Sequence, residues 1–230
     1  MGYFAQAASE AFHLIISADP EIKTVTWASL RFSLTSTILA SIVGIPAGVA
    51  LVFMQFQLKK IFMALLNTLL ALPTVVVGLF VYAFICRQGP LGYFGFLFSP
   101  IAIIIGQTIL IIPIICVLTY SGVKSVNPVV RATALTLGAK PWRANVSVLA
   151  EAKGSVFAAC VTAFGRVIGE VGISMMLGGN IAGYTRTITT VIALETSKGE
   201  FALGLALGII LLAVAFIVNF SIRLLGGLKI

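Results

Sequence analysis

The segment FGRVIGEVG, residues 164–172, sets two opposite charges, Arg166 and Glu170, four residues apart in apolar surroundings. Four residues make one helical turn, so the two side chains share a face and can pair, which lowers the cost of holding charge away from water. Such a pair is either a structural tie at a helix contact or part of a gate, in which a freed Arg166 would attract an anion. No other residues offer catalytic chemistry. The chain has no phosphate-binding GxxxxGK[ST], no HExxH and no plausible Ser/His/Asp set. Cys86, Cys116 and Cys160 lack paired spacing or a nearby histidine and read as packing residues, and the single histidine, His13, has no neighbours with which to ligate a metal. The expectation is a chain with no catalytic group, metal or cofactor of its own, whose energy comes from elsewhere.

A second segment, RATALTLGAKPWRANVSVL from Arg131 to Leu149, is basic and helix-patterned. Val130, Ala134 and Leu137 share one helical face, and Trp142, Val146 and Leu149 share another. Gly138 can take the left-handed conformation that ends a first helix, Ala139 follows it, and Pro141 suits the first turn of a second helix. The spacing predicts a helix-turn-helix knob whose ridge fits a partner's groove.

The elements that position these segments belong in a bilayer. Hydrophobic residues make up 60% of the 230 and charged residues 10%, and mean hydropathy is +1.12. That balance lies outside the soluble range. A helix needs about 20 mostly apolar residues to cross the hydrocarbon core. Five runs meet that need, near residues 30–54, 61–86, 100–120, 155–177 and 202–225. Residues 1–20 read as an interfacial helix with Phe4, Ala8, Ala11, Phe12, Ile15 and Ile16 on one face, closed by Asp19 and Pro20. The whole chain is then one all-α transmembrane domain, with a core over 30–225 and a cytoplasmic loop over 121–154.

Lys and Arg concentrate on the cytoplasmic side of membrane proteins. With the N-terminus outside and the C-terminus inside, Lys59, Lys60, Lys124, Arg131, Lys140, Arg143, Lys153, Arg223 and Lys229 lie inside. Lys23, Arg31, Arg87, Arg186 and Lys198 lie outside. The net charge of +8 therefore reflects topology, with no nucleic-acid partner implied. Within the spans, Gly44, Pro46 and Gly48 combine a missing backbone donor with a small-xxx-small surface. Pro73 and Pro113 interrupt the second and third runs, and Gly204 and Gly208 suggest another close contact. Gln107, Thr108 and the Thr35–Thr37 stretch put neutral polar groups at membrane depth, where they need a partner helix or water.

The knob resembles the cytoplasmic loop of type I ABC importer permeases, whose pattern is EAA, three residues, Gly, nine residues, then I-x-L-P. Ala134 fits the second alanine, Gly138 the glycine, and Val148 the isoleucine. Ala132 and Thr133 replace the Glu and first Ala, and Ala150 and Glu151 replace the Leu and Pro. SLRFSLTSTILASIVGIPAG and FGRVIGEVGISMMLGGNIAGYTRTITTVI are similar to core helices of the molybdate and sulfate permeases, and GEVG, GGNI, TRT and TTVIALET to the tungstate-specific branch. The resemblance implies a MetI-like permease fold and a homodimer. It also implies two ABC ATPase subunits on the coupling loop (Arg131, Ala134, Leu137, Gly138, Ala139, Pro141 and Trp142), with ATP and magnesium bound to those subunits. An external oxyanion-binding protein completes the set, and molybdate and sulfate are the neighbouring substrates.

Tungstate is a tetrahedral dianion that takes hydrogen-bond donors, and a pathway that must release it needs weak sites. Asn180, Thr185, Thr187, Thr189 and Thr190, beside Gly178, Gly179 and Gly183, read as a donor-rich outer mouth to which Arg186 adds a cation. Turn chemistry between two spans explains the same composition. Three other classes fit less well. A proton-coupled secondary transporter could use Glu170 but lacks an inverted repeat. A channel would want a ring of like charge or a carbonyl filter. A passive anchor would need neither proline-broken helices nor a knob.

Overall fold

The computed structural model describes residues 2–17 and 19–225, whose regular elements are all helical. The side chains of Phe4 and Arg223, and residue Lys229, lie outside that description. The chain opens with α1 (Gly2–Ile16), which ends where Asp19 begins a new helix. The Asp19 carboxylate accepts the backbone N–H of Glu21 at 2.7 Å and of Ile22 at 3.4 Å, and Pro20 occupies the first turn. This cap starts α2 (Pro20–Phe53) ten residues before the apolar run begins. Its 34 residues measure about 51 Å, well beyond a bilayer core. Hydropathy marked the slab and the cap marked the helix.

Next come α3 (Lys59–Leu70) and α4 (Thr74–Ile85), bent 99° apart at a break that ends on Pro73, the residue capping α4. The second apolar run is therefore two half-length helices. After a single 3-10 turn at Gly92–Phe94, α5 (Pro100–Lys124) runs unbroken through Pro113. The expected interruption there is absent. The segment expected on the cytoplasmic side forms α6 (Pro128–Thr136) and α7 (Pro141–Glu151), and α8 (Lys153–Ile168) follows at 59° to α7. The run expected over 155–177 stops at Ile168 and restarts as α9 (Gly172–Gly178). Two further helices, α10 (Ile188–Lys198) and α11 (Phe201–Leu225), complete the chain. Helices α2, α5 and α11 are long and apolar enough to cross a membrane. The α3–α4 and α7–α8 pairs bring the number to five if each bent pair counts as one span.

The core sits where α2, α4, α8 and α9 surround α5, with Ala40, Val81, Ile111, Ile115, Ala163 and Ile173 buried together. Glycine sets the closest approach. A Cβ on Gly48 would lie 2.6 Å from the Cys116 carbonyl oxygen, and one on Gly44 would lie 2.9 Å from Ile115 Cβ, so the GIPAG face is pressed onto α5. Gly208 has no such neighbour, and Gly204 comes no nearer than 3.7 Å to Thr196 Oγ1, so the expected glycine contact on α11 does not form. Instead Ala206 and Leu207 join Ile188 and Val191 of α10 and Ile22 and Val25 of α2 in a second cluster. Helix α1 docks there through Ala11, Leu14 and Ile15, while Phe12 and Ile16, expected on the same face, point outward. Of the neutral polar residues, Ser36 and Gln107 meet across α2 and α5, Ser36 Oγ donating to Gln107 Oε1 at 2.9 Å, and Thr108 Oγ1 reaches the Ser36 carbonyl at 3.5 Å, whereas the Thr35 and Thr37 hydroxyls bond carbonyls of their own helix.

Candidate functional site

The Arg166–Glu170 pair forms, with Nη1 to Oε2 at 2.9 Å. It does not lie on one continuous helix, because Glu170 follows the end of α8 at Gly169. Its Oε1 accepts the N–H of Gly172 at 3.0 Å and, more weakly, of Ile173 at 3.4 Å, the first residues of α9. A carboxylate at that helix start faces the positive end of the helix dipole. The Glu170 carbonyl in turn accepts Ser174 Oγ at 3.2 Å and Thr189 Oγ1 at 2.9 Å. Glu170 is thus 4% exposed and fastened from several sides, whereas the Arg166 side chain is 44% exposed and holds one partner. The pair is asymmetric.

The outer loop departs from its expected display of donors. Thr185 is buried, its hydroxyl donating to the Gly178 carbonyl and accepting the N–H of Ile181 at 3.0 Å. Thr190 Oγ1 accepts the N–H of Thr187 at 2.9 Å, closing the first turn of α10. Thr187 Oγ1 lies 3.2 Å from Thr189 Oγ1, and Ser29 Oγ of α2 accepts the N–H of Ile188 at 2.8 Å. Ser29, Ser33, Gln107, Glu170, Ser174 and Thr187 line a gap with no room for a water molecule. In this conformation these hydroxyls are a lock between α2, α9 and α10, closed to an anion. The sequence showed the threonines, but not that Thr185 and Thr189 turn inward onto the Gly178 and Glu170 carbonyls, or that a serine some 160 positions away holds the Ile188 N–H between them. Arg186 pairs with Glu21 at 2.7 Å, and Asn180, with φ +51°, keeps a buried Oδ1 without a partner among the described residues. Arg186, assigned to the outer side, is thereby joined to the first turn of α2.

The knob has the opposite character. Gly138 has φ +84° and open space around it, as its place between α6 and α7 requires. Arg131 Nε donates to Asn145 Oδ1 at 3.0 Å, clasping the two helices. Val130 and Leu149 pack inward on Val123, Val148 and Ala152. Leu137 is left 82% exposed and Trp142 59%, with Val146 exposed beside them and the Arg143 guanidinium 5.3 Å from the Trp142 ring centroid. Ala134 and Ala139 are half-buried behind this ridge, and Pro141 opens α7. Tyr120 receives Lys59 and Lys124 over its ring at 5.7 and 5.4 Å, gathering charges assigned to the same side.

Broken helices, a locked polar seam and an uncovered apolar ridge define a membrane-embedded subunit of a larger transport machine. The family described as the binding-protein-dependent transport system inner membrane component matches residues 26–227, and the chain belongs to it. The chain is 39% identical over 219 residues to the tungstate uptake system permease protein TupB of Peptoclostridium acidaminophilum, covering 95% of this chain and 96% of that one. It is 30% identical over 200 residues to the molybdenum transport system permease protein ModB of Escherichia coli strain K12, covering 81% and 85%. Its fold is similar to that of a solved inward-facing MetNI methionine ABC transporter, with a TM-score of 0.73 over 89% of this chain and 94% of that one at 15% identity. The chain is therefore a permease subunit of an ABC importer, dependent on separate ATPase and binding-protein partners. It is not an enzyme by itself.

Proposed function

We propose that this chain carries tungstate across the cytoplasmic membrane as one half of a homodimeric permease. Two ABC ATPase subunits sit on the 121–154 loop and bind the ATP and magnesium, and an external binding protein supplies the anion. The observation that carries the substrate is the 39% identity, over nearly the full length of both chains, to a tungstate permease. The coupling role rests on the exposed Leu137, Trp142 and Val146 ridge, because an apolar surface beside a basic loop is costly in water unless another protein covers it. N-out, C-in topology rests on the lysine and arginine distribution. Helix α1 completes the single transmembrane domain at its outer edge, with the exposed Phe12 and Ile16 toward lipid.

The test is uptake by proteoliposomes holding this chain with its ABC ATPase and an oxyanion-binding protein. Tungstate should accumulate only with ATP and magnesium, and should outcompete molybdate and sulfate at equal concentration. Preferential uptake of molybdate or sulfate would move the chain to that neighbouring substrate. For topology, Lys140→Cys should resist an impermeant thiol reagent in intact cells and react in inverted vesicles.

A further inference from the structure

Helix α8 has two unlike flanks on either side of the face it buries. Ala159, Ala163 and Val167 pack inward. On one side Phe157, Val161 and Phe164 line an apolar groove with Ile38 and Ile42 of α2 and Val218 of α11. The other side carries Thr162, Arg166 and Gly169, spaced four and three residues apart and all exposed. The space beside Gly165 and Gly169 is open, with no neighbouring element among the described residues within 4 Å of where a Cβ would stand. Arg166 lies thirteen residues into α8 from Lys153, about 20 Å along the axis from the cytoplasmic loop and so well inside a core about 30 Å thick. A half-exposed guanidinium at that depth is not stable against lipid and marks a surface that meets water or protein.

From this we infer that the Thr162–Arg166–Gly169 flank lines the aqueous route through the permease, and that Arg166 is a transient contact for the tetrahedral dianion. The inference rests on the oxyanion reading above and adds a residue to it. A guanidinium presents paired donors that match two oxygens of such an anion, and only one Arg166 nitrogen has a partner among the described residues. The asymmetry of the pair makes exchange feasible. When Arg166 turns to the anion, Glu170 keeps the N–H groups of Gly172 and Ile173 on Oε1, so the start of α9 stays anchored. Glu170 also keeps the local net charge near zero, so the contact stays weak enough for release. Gly165 and Gly169 leave room for the ion. Glu170 is a positioning residue and Arg166 the contact.

The experiment uses the full importer in membranes, with Cys86, Cys116 and Cys160 replaced by serine and Thr162→Cys one turn from Arg166. Its rate of reaction with an anionic sulfonatoethyl methanethiosulfonate is compared with that of the cationic trimethylammonioethyl reagent, each normalised to a free thiol. The anionic reagent should be favoured several-fold, and tungstate should slow it. Arg166→Gln should erase the bias, cutting uptake roughly tenfold while the ATPase still copurifies. Arg166→Lys should keep the bias and part of the uptake. Reaction with neither reagent means that lipid or the second copy seals the flank, and overturns the inference. Equal rates for the two charges beside native Arg166, or full uptake in Arg166→Gln, also overturn it, and the first of these needs no arginine variant to fold. A Thr162→Cys complex with native Arg166 that shows the anionic bias, while the wild-type complex imports no tungstate, molybdate or sulfate, would instead sink the oxyanion reading and leave the charged aqueous flank standing.

Discussion

The seam around Glu170 and the knob around Gly138 handle their side chains in opposite ways. In the seam nearly every polar group finds a partner inside the chain: Glu170 takes Gly172, Ile173 and Arg166, Thr189 takes the Glu170 carbonyl, and Ser29 takes Ile188. In the knob the helices hold each other through Arg131 and Asn145, yet Leu137 and Trp142 face outward, with only the Arg143 guanidinium over the Trp142 ring. Away from water an unpaired polar group is expensive, so the seam must be complete within one subunit. An exposed leucine costs a soluble surface less, so the knob can wait for its partner. The contrast separates what holds this chain together from what it offers to others.

The largest effect on the chain's own stability should follow Glu170→Ala, which strips the acceptor from the start of α9 and leaves Arg166 alone. A loss of about 3 kcal/mol is expected, read as a lower melting temperature in detergent. Glu170→Gln keeps an oxygen for both N–H groups and should cost clearly less. Equal losses would mean that the charge, not the helix cap, is what matters. Gly48→Val drives a side chain into the Cys116 carbonyl and Thr119, and should cost about 2 kcal/mol. An unchanged melting temperature would show that α2 and α5 can part easily.

Smaller still is Gly138→Val. The space there is open, so only the left-handed backbone resists, at about 1–2 kcal/mol. Normal amounts of permease should reach the membrane without the ATPase subunit, or with ATP hydrolysis uncoupled from uptake. Full uptake in that variant would remove the knob from the coupling path. Leu137→Ser and Trp142→Ala should move stability by under about 0.5 kcal/mol but weaken ATPase copurification roughly tenfold. If they lower the melting temperature instead, the ridge is part of the fold and the comparison between seam and knob collapses.

Local chemistry made the knob legible in the sequence. Gly138 and Pro141 fix a turn within a few residues, and the structure places both as their types require. The long apolar runs likewise identified α2, α5 and α11, whose side chains are chosen by lipid and core together. The break between α8 and α9 was hidden, because FGRVIGEVG keeps helical spacing straight through Gly169. What stops the helix is the Glu170 carboxylate turning onward to Gly172. The threonines of the outer loop were visible as donors, but Thr185 and Thr189 spend their hydroxyls on the Gly178 and Glu170 carbonyls, which only the fold brings near. Arg166 and Glu170 were rightly paired, while their unequal exposure had no signal in the spacing.

The break before Pro73 also bears on how the protein is made. At twelve residues each, α3 and α4 are about 18 Å long, too short for either to cross the bilayer core alone. Helix α4 is fitted to α9, with Gly78 facing Ile173 and Met176, and Gly172 facing Thr74 and Val75. The ribosome reaches α9 roughly 5–20 s after finishing α4 at ordinary elongation rates. Until then α4 has α5 to pack against but not α9, so its Gly78 face is covered only by later sequence. Maturation of this subunit is therefore a wait for its own later sequence, and a slowed ribosome between the two helices would lengthen the time during which the nascent chain is open to quality-control proteases.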